Sequence, residues 1–325
     1  MNNVSHSSTS ELIHRQILFL VQGTPLFLCN FVIFLVIVRF DALRRLAEYH
    51  LLAALAIADA FTGASYIFSG LYGLSLKLLH REDELVSSLY CRLIPKHSLR
   101  MLFAPVQHGM LVVLSVDRLI VVAKPLQYTQ IARKYNWWMI GLNYACGWGI
   151  ALCCFLVSQQ NETELVLSIC TGQDAFGRRV SLLFTAFNLF SALLSVVIGV
   201  CVPVVNRKRR TNVAGRRPAN SSVSPAERRF QKELTRAVLI SCTFTFCFVV
   251  LPWAMLSAIF ALLGKNVSQP WARELGFWML IFTNTNPLLN LFVYMKSLKP
   301  MRLAVKALVT NKQMPLALSA WRTNS

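Results

Sequence analysis

Ser115-Val116-Asp117-Arg118-Leu119-Ile120-Val121-Val122-Ala123-Lys124-Pro125-Leu126-Gln127-Tyr128 sets an acid and a base side by side where a long apolar segment ends. Residues 110–116 ahead of the pair are apolar apart from Ser115. Behind it comes a short apolar turn, then Lys124-Pro125, where proline's missing N–H and fixed φ end a helix. Charges are expensive inside a bilayer, so such a pair is functional or lies at the interface. An ordinary ion pair at a helix end has the same two residues, and only the rest of the chain separates these readings.

The chain has 325 residues, of which 55% are hydrophobic and 14% charged. Its mean hydropathy is +0.50. A soluble domain carries about 25% charged residues, so the composition is that of a membrane protein. The net charge of +19 does not point to nucleic acid, because the basic residues lie between apolar runs rather than on one soluble domain. A spanning helix needs about 20 mostly apolar residues. Seven stretches qualify: 17–38, 50–76, 93–122, 137–157, 180–205, 234–263 and 274–295. The expected layout is an outer N-terminus at 1–16, a bundle over 17–295, and a cytoplasmic surface helix with a short tail over 296–325. Residues 1–11 are polar and lack the layout of a cleaved signal peptide, so the first apolar run is expected to act as the insertion signal.

Orientation follows from Lys and Arg. Segments 39–48, 118–134, 206–236 and the tail from 296 carry 23 of the 33, and the opposite side carries nine. The richer side is cytoplasmic by the positive-inside rule, which puts the N-terminus of this multi-pass chain outside; the plasma membrane is its expected location. Three glycosylation sequons, at Asn3, Asn161 and Asn266, fall on the outer side; a fourth, at Asn220, falls inside. The third inner loop opens with Asn206-Arg207-Lys208-Arg209-Arg210 and reads as flexible and basic. Its basic run suits either anionic membrane lipid or a partner protein. After Tyr294, the residues Leu298, Met301, Val305 and Leu308 follow helical spacing, with Lys299, Arg302 and Lys306 on other faces. That pattern predicts an amphipathic helix on the inner membrane surface.

Seven spans with Asp117-Arg118 at the inner end of the third resemble the rhodopsin-like (class A) G-protein-coupled receptors. Asn30 in the first run, Leu55-Ala56-Ile57-Ala58-Asp59 in the second, Trp148 in the fourth and Pro252 in the sixth, six residues after Phe246, are similar to marks of that family. So is Asn286-Pro287-Leu288-Leu289-Asn290-Leu291-Phe292-Val293-Tyr294, which resembles Asn-Ser-x-x-Asn-Pro-x-x-Tyr. The resemblance covers about 30 to 310. Several departures stand out. Leu119 follows Arg118, Val249-Val250 replace the usual Cys-Trp, and the seventh-span proline comes four residues early. Cys91 lies two residues further from Arg118 than usual, which predicts a bulge near Pro105. The stretch from Asp117 to Tyr128 is also similar to nematode serpentine chemoreceptors.

The resemblance implies an all-α, seven-transmembrane helix bundle with a short amphipathic helix after the last span. It implies a receptor for an extracellular small-molecule or peptide ligand, working through a heterotrimeric G protein. Asp117 and Arg118 then read as a switch, with Glu233 as a second resting partner and Tyr294 closing the seventh-span motif. Asp59 is the only acid deep in a span, and Asn30, Asn286 and Asn290 offer amide oxygens beside it. A sodium ion is implied there, yet Gln107 stands where a small hydroxyl usually helps to hold that ion, so an ion-free polar network is the other reading. Cys91 and Cys170 are the only cysteines on the predicted outer surface and are expected to pair. The other seven of the nine cysteines lie mostly in apolar runs as small hydrophobes. Arg100 is nine residues inward from Cys91, about 13 Å at 1.5 Å per residue, and is the only basic residue counted within a span. A cation there would repel an amine and suit an acidic ligand; an arginine that snorkels to water is the competing account. Tyr72, His97 and Trp253 are candidates to share the pocket. No metal site is expected: His97 and His108 are eleven residues apart on one face, with no third ligand.

A transporter is the alternative, but no inverted repeat or paired broken helices are evident. An intramembrane hydrolase would need paired aspartates or a metal cluster, and only Asp59 is deep enough, so an enzyme is not expected. Residues 274–295 hold no lysine for a Schiff base, which excludes an opsin.

Overall fold

A computed structural model describes residues 9–159, 165–214, 225–263 and 270–310. The sequons at Asn3, Asn161, Asn220 and Asn266 lie outside these residues. The chain is built from α1 (Thr9–Arg39), α2 (Asp41–Arg44), α3 (Ala47–Leu78), β1 (Leu85–Ser87), α4 (Ser88–Leu93), α5 (Pro95–Ala123), α6 (Pro125–Ser158), β2 (Leu165–Leu167) and α7 (Gly172–Ala214). After these come α8 (Pro225–Thr245), a π-helical turn (Phe246–Val250), α9 (Leu251–Leu263), α10 (Pro270–Ser297) and α11 (Lys299–Val309).

Six of the described helical segments are long and apolar enough to cross a membrane: α1, α3, α5, α6, α7 and the rod formed by α8, the π turn and α9. The 28-residue α10 is not among them, for it carries Thr283-Asn284-Thr285-Asn286 and Asn290 near its middle. At 1.5 Å per residue it still runs about 42 Å. The core lies along α3 and α5, where Leu51, Leu52, Leu55, Met110 and Leu114 are buried together. Apolar side chains also point away from the bundle, as at Trp138, Leu183 and Phe292. A helix that is apolar all round suits a lipid setting.

The helices overshoot the predicted spans. α6 starts at Pro125 rather than at 137, and α7 runs 43 residues to Ala214. The third inner loop, expected to be flexible from Asn206, is helical up to Ala214 and again from Pro225. Arg, Lys and Glu are good helix formers, so charge ends an apolar run without ending a helix. The bulge expected near Pro105 is a further correction. α5 stays α-helical through Pro105, and Cys91 stands on a separate short helix, α4. The break falls at Ile94, whose ψ of 134° is the extended conformation that a following proline imposes. The single π turn among the described residues lies instead just before Pro252, which lacks the N–H that a regular turn would use. The outer loops pair as a two-stranded antiparallel sheet, Leu85 opposite Leu167. Gly177 (φ 75°) breaks α7 near its outer end, a backbone that glycine adopts without steric cost. In α11, Leu298, Met301 and Ala304 are buried, Val305 and Leu308 are half-buried, and Lys299, Arg302 and Lys306 are exposed.

α1 and α3 touch backbone to backbone through Gly23 and Gly63. A Cβ on Gly63 would stand 2.6 Å from the Phe27 backbone nitrogen, so the neighbour cannot turn aside as a side chain could. Gly63→Ala is expected to lower stability by about 1–3 kcal/mol, the usual cost of overpacking. A thermal unfolding curve in detergent measures it, and an unchanged midpoint would contradict the contact.

Candidate functional site

Three polar places lie along α5, from its Pro95 end, outer in the expected orientation, to its Ala123 end, inner in that orientation. At the outer end, Cys91 of α4 is bonded to Cys170, with the Cα atoms 5.4 Å apart. Around it the second outer loop is tied down by side chains. Tyr72 of α3 donates to the Ser168 carbonyl at 2.8 Å. Lys96 donates to the Ile169 carbonyl at 2.6 Å and lies over the Tyr72 ring. His97 Nε2 meets the Cys170 carbonyl at 2.7 Å. Tyr72 and His97, expected in the ligand pocket, therefore fasten the loop. Lys96, buried in α5, was not recognised as a cation within a span.

One turn further in lies a cavity of about 70 Å³ between α3, α5, α7, α9 and α10. Arg100 and Trp253 line it, as does His108, whose Nδ1 lies 2.8 Å from the Ala104 carbonyl. Val249, where the resembled family carries a different residue, forms part of the wall. Tyr66 donates to Asn284 Oδ1 at 2.7 Å across the cavity, joining α3 to α10.

The middle place centres on Asp59, 3% exposed. Gln107 hydrogen-bonds its carboxylate, while Oδ1 has no partner among the described residues. A void of about 10 Å³ lies beside it, lined also by Asn30, Asn290 and Tyr294. That is room for about one water. Asn290 Oδ1 accepts from Ser241 at 2.7 Å, and the Asn286 amide donates to Thr245 Oγ1 at 3.2 Å. Asn286 thus belongs to the contact of α10 with α8 and not to the void. The Asn30 amide donates within its own helix to Leu26, at 2.9 Å. The oxygens left for a sodium ion are those of Asp59 and Asn30, which fit an occupant no larger than one water.

At the inner end Asp117 and Arg118 are both buried. Arg118 Nε donates to Asp117 Oδ2 at 2.8 Å, with Nη2 on the same oxygen. The other carboxylate oxygen accepts from the Tyr128 hydroxyl at 2.7 Å. Tyr128 sits one turn into α6, placed there because Pro125 starts that helix directly after α5. Burial first, then the neighbouring Asp117 carboxylate, pushes the Tyr128 phenol well above its ordinary range, so it stays a donor. Glu48, buried at the start of α3, acts electrostatically on both Arg118 and Tyr128. Neither Glu48 nor Tyr128 was assigned a role from the sequence. Glu233 is half-buried on α8 and acts on Tyr49. Tyr294 is buried beside the Asp59 void, away from this ion pair. Among the described residues there is no cluster of three His, Cys, Asp or Glu side chains to hold a metal.

Compared with protein families, residues 26–309 match the serpentine type 7TM GPCR chemoreceptor Srsx. No curated protein matches the chain.

Proposed function

The chain belongs to the serpentine type 7TM GPCR chemoreceptor family Srsx, and from that premise we propose that it is a ligand-activated chemosensory receptor that signals through a heterotrimeric G protein. α10 is its seventh span and α11 its inner surface helix. The N-terminus and disulfide face outward, and Arg118, α11 and the basic ends of α7 and α8 face the cytoplasm.

The observation that carries the reading is the buried arrangement of Asp117 with Arg118 and Tyr128. A carboxylate held by a guanidinium on its own helix and a phenol on the next helix ties α5 to α6. It gives way when those helices shift, so it has two discrete arrangements. A ligand in the cavity at the outer half of α5 would bias that equilibrium if it binds the two arrangements with different affinity. The π turn meets the cavity wall at Val249 and continues toward the inner end of the sixth span, a place where a wide turn can re-form as a regular one. Asp59 and Asn30 would hold a sodium ion or a single water in the resting state, and the ion's charge would compensate the carboxylate.

Membranes containing the expressed chain and purified heterotrimers are expected to show nucleotide exchange that rises with an agonist from a screen of small organic compounds. Net substrate uptake into vesicles, with no exchange on any G protein tested, would replace this reading with a transporter.

A further inference from the structure

Among the described residues, the central cavity is lined by a cation and by no acid. Arg100 lines it, and among the described residues no carboxylate pairs with that guanidinium. Among the described residues, the acids near that end of the bundle lie elsewhere. Lys77 and Arg81 hold the Glu82 and Glu84 carboxyls below the usual carboxylate range by hydrogen bonds. Glu274 pairs with Arg15, and Asp174 accepts from the Thr171 N–H at 2.7 Å. Asp83 is exposed in the loop.

Three more polar atoms on cavity-lining side chains are buried and without a partner among the described residues: Asn188 Oδ1, Thr283 Oγ1 and Asn284 Nδ2. Thr283 and Asn284 are each more than nine-tenths buried. Buried polar atoms left unsatisfied are costly, and such groups around a cavity mark where a polar occupant would bond. Two of the three can donate, as Arg100 does. The rest of the wall includes Val249, Trp253 and Leu280, which suit a short hydrocarbon. The volume of about 70 Å³ is under half that of an engineered cavity that takes up benzene (about 150 Å³), so the occupant has few heavy atoms.

We propose that this cavity binds a small organic carboxylate, with the carboxylate on the Arg100 guanidinium and a hydrogen-bond acceptor on the adjoining carbon facing Asn284 and Thr283. The proposal rests on the receptor reading above and names its ligand class. A planar fork of donors matches a carboxylate two-fold, and partial removal from water strengthens the pair. The same cation excludes amines, and the missing acid leaves them no counter-charge.

The test uses the full-length chain in nanodiscs, with thermal unfolding as the binding readout, so it needs no G protein. The probes are acetate, propionate, butyrate, lactate and pyruvate, against their primary amides, the matching alkylamines and inorganic phosphate. Carboxylates are expected to raise the unfolding temperature of the parent, with lactate or pyruvate above propionate, while amides, amines and phosphate do not. Arg100→Gln is expected to weaken carboxylate binding by about 10-fold or more, the scale of a lost charge-assisted pair. Thr283→Val is expected to lower the lactate or pyruvate preference while propionate binding stays. The parent's choice between each acid and its amide decides the matter even if a variant fails to fold. No stabilisation by any of the acids, equal stabilisation by their amides or by phosphate, or full binding by Arg100→Gln would each overturn the proposal. If the acids fail while another ligand class drives nucleotide exchange, the receptor reading stands and only the ligand class falls. If the acids bind and no G protein responds, the reverse holds.

Discussion

Arg118→Ala is expected to cut agonist-stimulated nucleotide exchange by at least about 30-fold, which at 1.4 kcal/mol per decade is a loss of about 2 kcal/mol of coupling. On the proposed switch, the variant removes the group that changes partner between the two arrangements, and it leaves the cavity untouched. Its stability cost has to be separated from that loss. Asp117 is 0% exposed, and removing its guanidinium leaves a buried charge held by the Tyr128 hydroxyl alone. Breaking one side of a buried pair costs about 3–5 kcal/mol. Fewer folded molecules at the surface are therefore expected. The double variant Asp117→Asn, Arg118→Ala takes the charge away as well. It is expected to recover surface display without recovering exchange. Arg118→Lys keeps the charge but loses the fork to Asp117 and is expected to fall between parent and alanine. Exchange is normalised to surface labelling in each case. Normal exchange per surface molecule in Arg118→Ala would remove the switch.

What the sequence disclosed about this site, and what it withheld, follows from how each residue signals itself. Asp117 and Arg118 were legible because charges at the end of an apolar run have few alternative explanations. Glu48, 69 residues before Asp117, and Tyr128, on the next helix, fall in stretches that read as loops from the sequence, and only folding packs them on that pair. Arg100 was legible as a cation within a span for the same reason as Asp117. Asn188, Thr283 and Asn284 were not, because a neutral polar residue in an apolar helix gives no sign of the face it occupies. His97 and His108 were read as one face of one helix, and they are. The face alone could not show that one would fasten the outer loop and the other line the cavity. Six of the seven expected spans followed from apolar run length, whereas α10 and the helix ends did not. Basic residues mark where the membrane stops, and the helices of α6 and α7 continue past that point. Cys91 is the clearest case of register lost. Counting from Arg118 assumes one continuous helix, and the extended Ile94 before Pro95 breaks it.

That break makes the disulfide more important to the roof of the cavity. Cys91→Ser is expected to reduce surface display by more than about 10-fold, because closing a loop of 79 residues is worth about 4.5 kcal/mol in the chain-entropy account. Little else could hold the roof in its absence. α4 has six residues, and each strand of the outer sheet has three, too short to pair stably alone. Cys170 has a φ of 49°, a left-handed conformation that a non-glycine residue keeps only when its surroundings impose it. Its carbonyl is the partner of His97, and the neighbouring Ile169 carbonyl is the partner of Lys96. Releasing the sulfur would free that backbone to relax and leave the Lys96 and His97 side chains on α5 without those acceptors. Cys170→Ser removes the same bond, so the double variant is expected to match either single one rather than sum them, the signature of two residues acting as one unit. Surface labelling with peptide mapping under non-reducing conditions gives both quantities. Surface display and ligand response within about two-fold of the parent in either single variant, a difference of only about 0.4 kcal/mol, would show that the hydrogen bonds from Tyr72, Lys96 and His97 hold the roof unaided.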